Sequence, residues 1–324
     1  VDYGKILARA FEITRKYRAL WLFGVLAALC SGGNANVNVG NWSVGDGSGR
    51  GRGGDSLPTL PPDFWQVFAI IVLVALCVIL ILFLLSIVLR FISRAALIGL
   101  VQELEASGTT PTVRRGFRIG ADRFWSLLGI ALAVNIPLWL FSFAALGVAA
   151  LPLIMSLLPL IGAGKTSADE LLGVVLTGVF GSLALLCCVI LFLVLIGLVI
   201  TPFYEFIVRA CVVGKRGVMD SMRAGFRVVR ANLGNVAVLY ILLIGIGIGF
   251  ALLMIPVALI LIGVPVGVGI AIGVAANSAA PGIVAGVLIG IPMLLILLFI
   301  AGLYETFRST AWTEGYLALT APAT

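Results

Sequence analysis

The sequence predicts an all-α integral membrane protein: six transmembrane helices arranged as three repeated hairpins, each preceded by an interfacial amphipathic helix on the cytoplasmic face. Three observations predict it. The 324 residues are 61% hydrophobic and only 11% charged, with a mean hydropathy of +1.20, whereas soluble domains carry about a quarter charged residues. Apolar stretches of the roughly 20 residues needed to cross a bilayer recur along the chain. One short pattern, a Phe among basic residues with an apolar run close behind, occurs three times: ARAFEITRKYRALWLFG from Ala8, RRGFRIGADRFWSLLG from Arg114 and RAGFRVVRANLGN from Arg223.

The six spans read at 18–31, 64–89, 124–147, 171–203, 233–262 and 282–304. The first is short and is extended backwards by an amphipathic helix. It begins too close to basic residues, and continues too helically, for a cleaved signal peptide with its small-residue cleavage site; only an initiator Met is expected ahead of Val1. Lys and Arg set the orientation. Eighteen of the 21 lie in the N-terminus, in 90–123, in 205–231 and in the C-terminus, while the opposite side holds only Arg50, Arg52 and Lys165. By the positive-inside rule both termini face the cytoplasm. The net charge of +7 is then a property of the inner-leaflet face, with anionic membrane lipids as the expected partner and no nucleic acid.

The repeat follows from placing Phe11, Phe117 and Phe226 in register, at spacings of 106 and 109 residues. Each copy is followed by an apolar hairpin, and the hairpins end alike: RFISRAAL at Arg90, YEFIVRAC at Tyr204 and YETFRSTA at Tyr304. The expected unit is amphipathic helix, span, outer loop, span and interfacial Arg. It divides a single membrane domain, 1–324, into repeats at about 1–103, 110–213 and 215–318. Such units would be parallel repeats about an axis along the membrane normal, an arrangement some transporters use.

Spacing predicts the amphipathic helices. In the third, Arg216, Asp220, Arg223, Arg227 and Arg230 step by three and four residues, while Val218, Met222, Phe226 and Val229 take another face, the pattern of an interfacial helix. In the first, Asp2, Lys5, Arg9, Glu12 and Lys16 step likewise, apart from Tyr3, Leu7, Phe11 and Thr14. The second is shorter, with Thr110 as N-cap, Pro111 as first helical residue and a stripe of Arg115, Arg118 and Asp122. Each Lys or Arg near an anionic leaflet is worth roughly 1 kcal/mol, so the helices are expected to lie flat at the headgroups with their Phe inward. The candidate contacts to inner-leaflet lipid or a partner are Arg9, Phe11, Arg15, Arg115, Phe117, Arg118, Arg223, Phe226, Arg227 and Arg230. Anchoring is the ordinary meaning of such residues; recognition of a specific lipid or partner is the alternative.

On the outer side, 31–63 is rich in Gly, Asn and Ser, which reads as a long exposed loop. Pro152, Pro159, Pro256 and Pro265 predict kinks or breaks in the third and fifth spans. Gly263, Gly267, Gly282, Gly286 and Gly290 offer small-xxx-small steps for close helix packing, within the chain or across a subunit contact. Asn135, Ser142, Thr177, Ser182, Asn235 and Tyr240 read as hydrogen-bonding groups between helices. A cavity lined by Asn135, Asn235 and Tyr240 would favour transport over a structural role.

Catalytic patterns do not emerge. The chain has no His, the commonest general base and zinc ligand. Cys30, Cys77, Cys187, Cys188 and Cys211 lie in or beside apolar runs, where Cys behaves as a small hydrophobe. The GAGKT at 162–166 has Pro159 where a phosphate loop needs its first Gly, and Gly49, Gly51 and Gly54 match a dinucleotide spacing only because their loop is glycine-rich. Neither catalytic residues, cofactor nor metal is expected, and the reading is of a non-enzyme.

The segment GFRVVRANLGN leading into a Gly- and Leu-rich hairpin resembles a broad group of uncharacterised bacterial membrane proteins. These are similar to the membrane domain attached to some glycerophosphodiester phosphodiesterases, without the catalytic domain. The resemblance implies a bacterial cytoplasmic (inner) membrane protein and carries no enzymatic activity. Two functions are weighed. The first is an accessory or scaffold subunit packing against another membrane protein or its own copies. The alternative is a transporter or lipid-handling protein with a site at the repeat axis.

Overall fold

The computed structural model describes residues 2–30, 64–162 and 168–320. The expected outer loop 31–63 lies outside the described residues, as do Lys165 and most of the GAGKT segment. The protein is all-helical: α1 (Tyr3–Lys16), α2 (Arg18–Cys30), α3 (Phe64–Ser107), α4 (Val113–Gly162), α5 (Ala168–Gly214), α6 (Val218–Ala231), α7 (Leu233–Ala275) and α8 (Ala279–Thr320). Five of these, α3, α4, α5, α7 and α8, are long and apolar enough to cross a membrane. The 13-residue α2 extends about 20 Å at 1.5 Å per residue, less than the ~30 Å hydrocarbon core.

The short helices start and stop for local reasons. Asp2 caps α1 by accepting from the backbone N–H of Lys5 at 3.1 Å, and that bond holds its carboxyl below the usual Asp range. Extended Tyr17 ends α1, and Trp21 Nε1 donates to the Thr14 carbonyl at 2.6 Å, satisfying a C-terminal acceptor. Asn232 separates α6 from α7. Tyr17 and Asn232 each stand six residues after their register Phe. At the matching position of the second copy, Arg123, the helix runs on, so the second amphipathic segment is the first turns of α4. Of the three expected amphipathic helices, two, α1 and α6, are separate elements and the second is not. The α7–α8 turn closes with Asn277 in the left-handed region (φ 47) and Ser278 N–H donating to the Gly273 carbonyl at 3.1 Å, a Schellman arrangement.

The helices continue through the prolines expected to break them. Helix α4 continues past Pro152 to Gly162, and α7 carries Pro256 and Pro265 internally. In an apolar surrounding the alternative is worse, because leaving the helix would strand more backbone groups than the one hydrogen bond each proline removes.

Packing is uneven along these rods. One face of α1 (Ile6, Ala10), the end of α5 (Phe206, Ala210), the start of α7 (Val236, Leu239) and the end of α8 (Ala311, Trp312, Tyr316) form one buried cluster. A second joins Ile13, Leu20 and Phe23 to Ala96, Leu97 and Leu100 of α3. A third joins Ala95 and Ile98 to Leu127, Ile130, Ile207 and Cys211. The core therefore sits where the amphipathic segments meet the ends of α3, α5 and α8, with the first and last helices packed together. Beyond that layer the apolar rods are exposed, and none of the most apolar 18-residue window of α3 is buried.

Candidate functional site

The ends of α3, α5 and α8 bring charge into the protein interior. On α5, Glu205 and Arg209 stand one turn apart in the favourable acid-before-base order. Arg209 Nη1 donates to the Glu205 carboxylate and, at 2.8 Å, to the Glu205 carbonyl; its Nη2 donates to the Ser309 carbonyl of α8 at 3.2 Å. From α3, Arg94 donates to the other Glu205 oxygen at 2.6 Å and lies 4.9 Å over the Tyr204 ring. On α8, Arg308 pairs with Glu305 at 3.1 Å. Arg209 is only 1% exposed, yet its Nε has no hydrogen-bond partner. Desolvating so polar a group is costly unless its donors are met.

These side chains form the charged end of a cavity of about 970 Å³. Four arginines line it, Arg90, Arg94, Arg209 and Arg308, against two carboxylates, Glu205 and Glu305. Arg90 is exposed and has no ion-pair partner among the described residues. The remaining wall is apolar: Gly247, Phe250, Ala251, Met254, Ile255 and Ala258 from α7, Leu294, Leu297, Leu298 and Ala301 from α8, and Ala27 to Leu29 from α2. Phe250 stacks on Tyr304 with ring centroids 4.2 Å apart, marking the boundary between the two ends. Gly24 and Gly302 let α2 close the side, since a Cβ on Gly302 would meet the Val25 backbone at 2.7 Å.

The residues singled out from sequence lie elsewhere. Arg9 bridges Glu105 of α3 (2.9 Å) and Glu12 (3.0 Å), and these bonds, Glu105 first, raise its pKa. Arg115 pairs with Glu103 at 2.7 Å. Arg15, Arg118, Arg223, Arg227 and Arg230 are exposed. Phe11, Phe117 and Phe226 are also exposed, at 62%, 36% and 51%. The inward residue is the small one just before each Phe: Ala10 is fully buried, and Gly116 and Gly225 are buried against Phe23 and Ile207. The glycines divide too. Gly282, Gly286 and Gly290 face Pro265, Gly269 and Gly273 of α7, while a Cβ on Gly263 or Gly267 would meet nothing within 4 Å, so those two are off the contact.

The polar residues expected to bond between helices divide. Asn135, Ser142 and Ser182 donate to carbonyls of their own helices, the usual local satisfaction of such groups, as does Thr177 to the Gly173 carbonyl. Asn235 accepts from Tyr3 of α1 at 3.1 Å, and Tyr240 packs on Trp312. None of Asn135, Asn235 and Tyr240 lines the cavity. Sequence reasoning read the residues that do line its charged end as interfacial anchors. The available signal was a Glu and an Arg one turn apart inside an apolar run.

Residues 7–311 match a family described as a family of unknown function (DUF7544), and the chain belongs to it. No curated protein and no solved structure matches the chain.

Proposed function

We propose that this member of the DUF7544 family is a lipid-handling membrane protein that draws an amphiphile from one leaflet into the cavity between α2, α7 and α8. The single observation that carries this reading is the cavity's polarity gradient, with four arginines and two carboxylates at one end and apolar wall along the rest. From Tyr304 back to Leu294 the wall runs about 15 Å along α8, half of the ~30 Å hydrocarbon core. Its volume is at the upper end of ordinary ligand sites. Such a shape matches a headgroup and the acyl portion of one leaflet.

The topology that goes with this function has three parallel hairpins about an axis through the meeting ends of α3, α5 and α8, with α2 as a short sixth span. Both termini face the cytoplasm of a bacterial inner membrane, the side where Lys and Arg concentrate, and basic α1 and α6 rest on anionic headgroups. A second reading, an accessory subunit, is favoured by one observation: Ile70 to Leu85 of α3 is exposed at every residue, a helix apolar all round that a partner could cover. Native mass spectrometry of protein extracted from its own membranes in mild detergent tests both. A stoichiometric lipid on the protomer or on its homo-oligomer is the expected result. A reproducible assembly with another membrane protein and no retained lipid would replace this reading by the accessory one.

A further inference from the structure

We infer that the occupant of the cavity is an anionic phospholipid whose phosphate is bound by Arg90 and Arg308 beside the Arg94–Glu205–Arg209 cluster; this rests on the cavity taking an amphiphile at all.

Charge balance comes first. Glu205 receives both Arg94 and Arg209, and Glu305 neutralises Arg308. Arg90 has no ion-pair partner among the described residues, so the charged end carries a formal excess of two positive charges over its lining acids. An anion placed among these groups is attracted by that excess, the more strongly because the adjoining wall is apolar. The second observation is that Arg94 and Arg209 are already bonded to Glu205, and Arg209 also to the Ser309 carbonyl, which leaves Arg90 and Arg308 as the arginines of the cavity that an anion can reach. A phosphate, with several acceptor oxygens, pairs with neighbouring arginines in the planar geometry that arginine favours. The third is position. The arginines stand at one end of an apolar slot, so a headgroup seated on them leaves its chains against Met254, Ile255, Leu294 and Leu298.

Glu205 has a positioning part in this arrangement. By holding Arg94 and Arg209 from α3 and α5 it draws two cations together that would otherwise repel, and it leaves Arg90 and Arg308 as the groups open to the ligand. Phosphate is the chemistry recognised; a lipid headgroup and free inorganic phosphate both supply it, and only the lipid uses the apolar slot.

The test titrates the purified full-length protein in mild detergent, read by native mass spectrometry, with phosphatidylglycerol, with phosphatidylcholine of the same acyl chains, and with inorganic phosphate as competitor. Phosphatidylglycerol is expected to bind about tenfold more tightly than phosphatidylcholine, whose choline cation is repelled by the excess positive charge of the site although its phosphate is the same. Arg90→Gln, at an exposed residue without an ion pair, should weaken both lipids through their shared phosphate and phosphatidylglycerol the more, so that most of the preference is lost. The triple change Arg223→Gln, Arg227→Gln and Arg230→Gln on the surface of α6 should leave it intact. Equal binding of the two lipids, or a preference that follows the α6 residues instead of Arg90, overturns the inference while the cavity still holds lipid. Displacement of the lipid by inorganic phosphate at equal concentration assigns the site to the free anion and overturns the lipid assignment. Failure to bind either lipid sinks the underlying amphiphile reading itself.

Discussion

Glu205→Gln removes one formal charge at the point where α3, α5 and α8 meet. In the native protein its two carboxylate oxygens receive Arg94 at 2.6 Å and Arg209, whose side chain is 1% exposed. The amide keeps the shape but leaves the two guanidinium groups facing a neutral acceptor. Breaking a buried ion pair by removing one partner costs about 3–5 kcal/mol. Arg94 is 23% exposed and keeps part of its solvation, which points to the lower end, about 3 kcal/mol. For a chain of this size about 2 °C of Tm accompanies each kcal/mol, so the midpoint should fall by roughly 6 °C. Glu305→Gln is the matched control. Its partner Arg308 is 35% exposed, so the pair is worth about 1 kcal/mol or less and the shift is about 2 °C. The assay is thermal unfolding in mild detergent at one scan rate, followed by tryptophan fluorescence, because Trp312 stands 5.9 Å from the Arg209 guanidinium. If Glu205→Gln shifts the midpoint no more than Glu305→Gln, the cluster is hydrated and its burial does not govern the packing of the three ends. The same variant raises the cavity's formal excess positive charge, so the folded fraction should hold phosphatidylglycerol more tightly than the native protein does.

Other outcomes follow from single contacts. Gly225→Ala places a Cβ 2.6 Å from the Ile207 Cα and should destabilise by about 1–3 kcal/mol in the same melt, whereas Gly267→Ala, with nothing within 4 Å, should be neutral or stabilising by up to about 1 kcal/mol. Tyr3→Phe deletes the half-buried bond to Asn235 and should cost about 1 kcal/mol. Because Asp2 is held below its ordinary value of 3.8, its cap is formed above that pH and is lost as the pH falls through the depressed folded value; hydrogen exchange at the Lys5 amide should therefore accelerate only on strong acidification. A cysteine at Thr109, in a protein stripped of its own five cysteines, should react with an impermeant thiol reagent only in inside-out vesicles, and labelling of right-side-out vesicles would reverse the assigned orientation.

Much of the architecture was legible in one dimension, because hydrophobicity and charge act locally. Runs of apolar residues long enough to cross a bilayer are helical wherever they are described, since no other open backbone conformation satisfies its hydrogen bonds in lipid. The register of Phe11, Phe117 and Phe226 picked out three helical segments, of which the first and third are separate helices and the second is the start of α4. Which residue of that register packs against the neighbouring helix was not legible: Ala10, Gly116 and Gly225 do, because the crossing helices approach too closely there for a larger side chain. Of the kinks or breaks that proline predicts, the structure excludes the breaks, since the helix continues through Pro256 and Pro265.

The sequence by itself determined that this is a helical membrane protein with basic amphipathic segments, since each of those properties is a sum over neighbouring residues. Only the tertiary structure decided that Arg94, 111 residues from Glu205, shares its carboxylate, and that Arg90 is left beside an apolar slot. An isolated Arg at the end of a span reads as an anchor in any sequence. Its meaning changes when three helix ends converge, because a charge facing headgroups is spent on anchoring and the same charge facing a cavity is free to attract a ligand.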